Sequence, residues 1–134
     1  MKPRKIRIVS NALGETETVT VLVYDTVEQM RRAAAKFNDS DQSDSLAVTQ
    51  AWVDGNHRAG RIVIRLAHGH LGTEIITHEL HHATTAIYGA HVGDRISRAA
   101  HLNHYNEPFA HLFSDMARSL VDQLHKAGYY EEVP

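Results

Sequence analysis

The hydrophobic pattern changes period along the chain. Residues 5–9 alternate, Ile6 and Ile8 against Lys5 and Arg7, and predict a strand because successive strand side chains point to opposite faces. Residues 11–17, with Gly14, predict a turn or short loop. Residues 18–24 are mostly β-branched and predict a second strand, antiparallel to the first. The period then lengthens. Val27, Met30, Ala34 and Phe37 mark one face of a helix that ends near Asn38, with Asp25 or Thr26 as its cap. Polar residues 39–45 predict a loop. Residues 46–53, containing Trp52, predict a third strand. Residues 60–67 predict a fourth, with Ile62, Ile64 and Leu66 alternating with Arg61, Val63 and Arg65. Asp54-Gly55-Asn56 between them predicts a hairpin turn.

Helical spacing dominates the second half. Ile76, Leu80, Ala83 and Ile87 form an apolar stripe, predicting a helix over 74–88 with Thr73 as N-cap and Gly89 as C-cap. Residues 90–103 form a connection without clear periodicity. Phe109, Phe113, Met116, Leu120 and Leu124 predict a last helix over 106–126, stopped by Gly128. The expected fold class is therefore α+β. It is a single domain over 1–134, with a small, mostly antiparallel sheet of about four strands packed on the 74–88 helix and two further helices.

Composition narrows the chemistry. At 134 residues the chain is long enough for a real core. A formal net charge of −2 gives no basic field, so nucleic acid is not an expected partner. There is no cysteine, which excludes disulfides and thiolate metal sites and leaves histidine and carboxylate as ligands. Eleven histidines make that option concrete. The same lack of cysteine suits a cytoplasmic protein. The basic start Met1-Lys2-Pro3-Arg4-Lys5 is followed by no apolar run of signal-peptide length, and no segment approaches the roughly 20 apolar residues of a membrane span. The sequence leaves the oligomeric state open.

The predicted 74–88 helix carries His78-Glu79-Leu80-His81-His82, a His-Glu-x-x-His motif. At 100° per residue His78 and His82 lie one above the other, clear of the apolar stripe, so both imidazoles can reach one zinc ion. Glu79 then stands where a general base is needed: zinc lowers the pKa of its water, and Glu79 takes the proton as that water attacks a peptide carbonyl. A catalytic zinc usually has a third protein ligand. Glu107, off the apolar stripe at the start of the last helix, is the first candidate, with His101, His104 and His111 as alternatives. The competing reading is an acid in the first helical turn, favoured by the helix dipole. His104, Tyr105 and His111 are candidates to stabilise the oxyanion. Residues 61–66 are expected to offer an unpaired strand edge to an extended peptide. His81 is expected to be solvated; His68 and His70 stay open.

His78-Glu79-Leu80-His81-His82 followed by Asn106-Glu107 resembles the gluzincin branch of the zincin metallopeptidases. Glu107-Pro108-Phe109-Ala110 is also similar to the small bacterial and phage members, including the ImmA/IrrE-like group. The resemblance covers roughly residues 60–120. It implies zinc ligands at His78, His82 and Glu107, a base at Glu79 and a minimal zincin-like fold. Pro108 departs from the pattern by placing Glu107 in the first helical turn. The metzincin pattern is excluded, since Thr85 and Tyr88 stand where its glycine and third histidine belong. The expected function is a zinc-dependent peptidase, an endopeptidase rather than an exopeptidase, with one Zn2+ per chain and a peptide or protein substrate. The alternatives are a catalytically silent zincin-like metal-binding or protein-interaction module, such as a phage protein that binds a host partner, or a SprT-like DNA-associated protease using a downstream histidine.

Overall fold

A computed structural model describes residues 2–38, 41–53, 59–92 and 106–130. Its elements are β1 (Arg4–Ser10), β2 (Glu17–Tyr24), α1 (Val27–Asn38), β3 (Val48–Val53), β4 (Ala59–Ala67), α2 (Thr73–Val92) and α3 (Asn106–Lys126). The Asp54-Gly55-Asn56 turn lies outside the described residues.

The four strands form one sheet in the order β1-β2-β4-β3. β1 and β2 pair antiparallel, with Arg4 opposite Val23 and Ser10 opposite Glu17, and β3 and β4 also pair antiparallel. β2 and β4 run parallel, because α1 separates β2 from the hairpin that follows. The fold is α+β as expected, and the four-stranded sheet is mostly antiparallel, with the parallel pairing of β2 and β4 making it mixed. One expectation is overturned. β4 is hydrogen-bonded on both sides, so residues 61–66 offer no free edge; among the described residues the edge strands are β1 and β3.

Strand alternation divides the interior into two layers. Ile6, Ile8, Val19, Val21, Val23, Ile62, Ile64 and Leu66 face α2 and α3 and pack with Ile76, Leu80, Ala83, Ile87, Leu112, Met116, Leu120 and Leu124. The α2 stripe is buried as its spacing predicts. On α3, Leu112 joins the buried row, whereas Phe109 and Phe113 are only half-buried. The opposite sheet face packs on α1 through Tyr24, Met30, Ala34 and Ala67. Arg65 is buried there. Its Nε donates to Gln50 Oε1 (2.8 Å), its Nη1 donates to the Tyr24 hydroxyl (2.7 Å), and its guanidinium lies 5.5 Å from the Phe37 ring centroid. Gln50 in turn donates to the Ala34 carbonyl at 2.8 Å. Each buried polar atom in this layer thus has a partner, as burial requires.

α3 covers β1. Ser10 Oγ donates to Asp115 Oδ2 (2.8 Å) and Gln123 Nε2 donates to the Arg7 carbonyl (3.0 Å), across 105 and 116 residues of chain.

The helix ends test the capping expectations. Thr26 caps α1, its Oγ1 accepting from Gln29 N–H at 3.2 Å. α2 begins one residue earlier than expected: Ile76 N–H donates to the Gly72 carbonyl (3.1 Å), making Gly72 the cap and Thr73 the first helical residue. Gly89 does not end α2, which continues to Val92. Glycine permits the left-handed cap conformation without imposing it, and Gly89 stays helical. Gly128 does stop α3. At φ 86° it lets Tyr129 N–H reach the Leu124 carbonyl (3.1 Å) while its own N–H reaches that of His125 (3.0 Å), a Schellman ending. Tyr130 then donates from its hydroxyl to the Leu71 carbonyl (3.0 Å) just before α2. Among the described residues no helix is long and apolar enough to cross a membrane.

Candidate metal centre

The apolar stripe that sinks Leu80 and Ala83 into the core turns His78 and His82 outward, and both are exposed. Their Nε2 atoms nevertheless converge to 3.1 Å, with ring centroids 4.7 Å apart and planes at 83°. Two nitrogens bound tetrahedrally to one zinc at about 2.0–2.1 Å stand roughly 3.3 Å apart, so the observed spacing fits such a pair. Without an ion, one ring can donate to the other, which requires at least one unprotonated Nε2.

Glu79 is different. It is only 7% exposed, turned from solvent toward β3. Thr49 Oγ1 donates to Glu79 Oε1 at 2.7 Å and lies 3.1 Å from the Glu79 carbonyl oxygen. Glu79 Oε2 lies 4.0 Å from His78 Nε2, too far for a hydrogen bond. The three motif residues line a cleft of about 340 Å³ between α2 and β3. Gln42, Ala47, Val48, Thr49, Ala51 and Ala86 complete its wall. The side chains around the motif are thus mostly small and apolar, and edge strand β3 forms one side.

Glu107 occupies the first turn of α3, as expected. Its Oε2 lies 3.6 Å from His111 Nε2, and both side chains are exposed. Phe109, two residues on, packs edge-on against Tyr88 (5.3 Å) and His81 (6.2 Å), which brings the start of α3 onto α2 beside the motif. Among the described residues no three histidine or acidic side chains form a group that could hold a metal ion. His101, His104 and Tyr105 lie outside the described residues. His111 borders a separate cavity with Ser10, Asp115 and Arg118. His81 is exposed, and His68 meets the Tyr129 ring edge-on at 5.4 Å.

A larger cavity of about 530 Å³ lies on the other side of α2. Leu71, Ile76, Leu80, Ala117 and Val121 line it, with Thr73, Thr77, His125 and Tyr130 at polar positions. One neighbour of Glu79 is not legible in the sequence. Thr49 stands 30 residues before Glu79, in a run of β-branched residues where a threonine reads only as a strand former. Compared with known proteins, the chain matches no family model, no curated protein and no solved structure.

Proposed function

We propose that this chain is a zinc-dependent peptidase with a minimal zincin-like fold, acting on peptide or protein. The observation that carries the reading is the 3.1 Å approach of His78 and His82 Nε2 beside a buried carboxylate, in a cleft that borders a sheet edge. His78 and His82 would hold the ion, and Glu107 is the third ligand in this reading. Glu107 faces His111, and among the described residues no third donor joins His78 and His82, so Glu107 would have to move to serve. When bound, zinc supplies Lewis acidity and a lowered pKa for water. Glu79 accepts a proton on Oε2, the oxygen not engaged by Thr49, and returns it to the leaving amine. β3, in place of β4, is an outer strand among the described residues, and its outer edge would hold an extended substrate by main-chain hydrogen bonds. The small side chains of Ala47, Ala51 and Ala86 leave room for it. His104 and Tyr105 are the proposed donors to the oxyanion.

The test is metal analysis paired with hydrolysis of a quenched fluorescent peptide mixture. The expected result is one zinc per chain and a Glu79→Gln variant that keeps its zinc but loses about 10²- to 10⁴-fold in rate. Full activity in that variant would overturn the assignment.

A further inference from the structure

We infer that Thr49 is a positioning residue that fixes which oxygen of Glu79 faces the histidine pair; the inference rests on the peptidase reading above. The hydroxyl has a single proton and two acceptors within reach, Glu79 Oε1 at 2.7 Å and the Glu79 carbonyl at 3.1 Å. The carboxylate oxygen is both nearer and charged, so it takes the larger share of that proton. Oε1 is thereby engaged and Oε2 is left for proton transfer. The bond persists whether or not Oε2 is protonated, so the carboxyl need not rotate during turnover. The clamp is stiff at both ends. Thr49 is β-branched, with a restricted χ1, and sits opposite buried Ile64 of β4. Glu79 is held by α2 between the fully buried pairings of Leu80 and Ala83 and the wall of β3. The anchor also belongs to the edge strand beside the cleft. A peptide laid on β3 would therefore be registered against the same strand that orients the base. A catalytic carboxylate misplaced by a rotamer loses rate without losing affinity.

Two variants separate this role from a structural one. Thr49→Val keeps the branched shape and removes the hydroxyl; Thr49→Ser keeps the hydroxyl and removes the methyl. The first readout needs no metal and no turnover: ¹³C relaxation of Glu79 Cγ in the metal-free chain. Thr49→Val is expected to mobilise Glu79, and Thr49→Ser to leave it ordered. The second uses the zinc-loaded chain and the peptide that the wild type cleaves fastest from the quenched fluorescent mixture. Thr49→Val is expected to lower kcat by about 10- to 100-fold, the loss of one hydrogen bond to a charged group, with KM and zinc content unchanged. Thr49→Ser is expected to recover most of it. Equal Glu79 order in the valine variant and the wild type, or a serine variant as slow as valine, overturns the positioning role alone. A zinc-loaded wild type that cleaves none of the peptides removes the peptidase reading itself, whatever the relaxation data give.

Discussion

α2 has a cavity on each side, and the two differ in kind. The larger, of about 530 Å³, is walled by Leu71, Ile76, Leu80, Ala117 and Val121 against α3. The smaller, of about 340 Å³, holds His78, Glu79 and His82 against β3. Of these two, size alone would favour the first. By chemistry only the second brings together two convergent imidazoles and a buried, hydrogen-bonded carboxylate. The contrast arises within five consecutive residues. His78 and His82 face out, Glu79 faces the strand, and Leu80 is fully buried among aliphatic side chains. One helix thus spends alternate positions on holding the fold and on arranging reactive groups.

That division can be broken by substitution. His78→Ala or His82→Ala should have the largest effect. Zinc affinity is expected to fall by more than the roughly 10- to 100-fold typical of losing an outer-shell partner. Because both side chains are exposed, the metal-free chain should unfold within about 0.5 kcal/mol of wild type. Urea melts of the metal-free chain with zinc titrations check both halves, and a large stability loss would erase the contrast. Leu80→Ala should do the reverse. A cavity in the α2–α3 layer is expected to cost about 2–5 kcal/mol, while the folded fraction still binds one zinc. Tyr130→Phe should have the smallest effect, about 1 kcal/mol for the hydrogen bond to Leu71, with zinc binding untouched. Burial raises the Tyr130 pKa. The folded chain therefore holds that proton longer than the unfolded one does. The stabilisation is complete below the unfolded value of about 10 and is lost as pH rises through the folded value. The stability gap between wild type and Tyr130→Phe should therefore narrow as pH rises above about 10, as urea melts would show.

The elements were largely legible and their assembly was not. Local signals did well where one physical cause acts alone: Thr26 capping α1, the α2 stripe, and Gly128 ending α3. The free edge expected at residues 61–66 follows from their place just before the 74–88 helix and from the zincin resemblance, and neither fixes a strand's place in the sheet. Arg65 is buried, its charge absorbed by Gln50, Tyr24 and Phe37, and Val63 beside it is buried too. Burial on both faces is the mark of an inner strand. Strand order also depends on the α1 crossover, which no alternation pattern encodes. At the site, the spacing of His78 and His82 implied convergence, and their rings do converge. The Thr49 contact depends on sheet register and has no signature in either segment.

The contacts that pin α3 onto β1 have a consequence for the chain as it is made. Ser10 and Arg7 leave the ribosome more than a hundred residues before Asp115 and Gln123, their partners. Until then Ile6 and Ile8 have no cover on that side. The nascent sheet therefore carries an unsealed greasy flank through most of its synthesis, and a chain cut short before α3 would keep it, which is where chaperone capture or aggregation would begin.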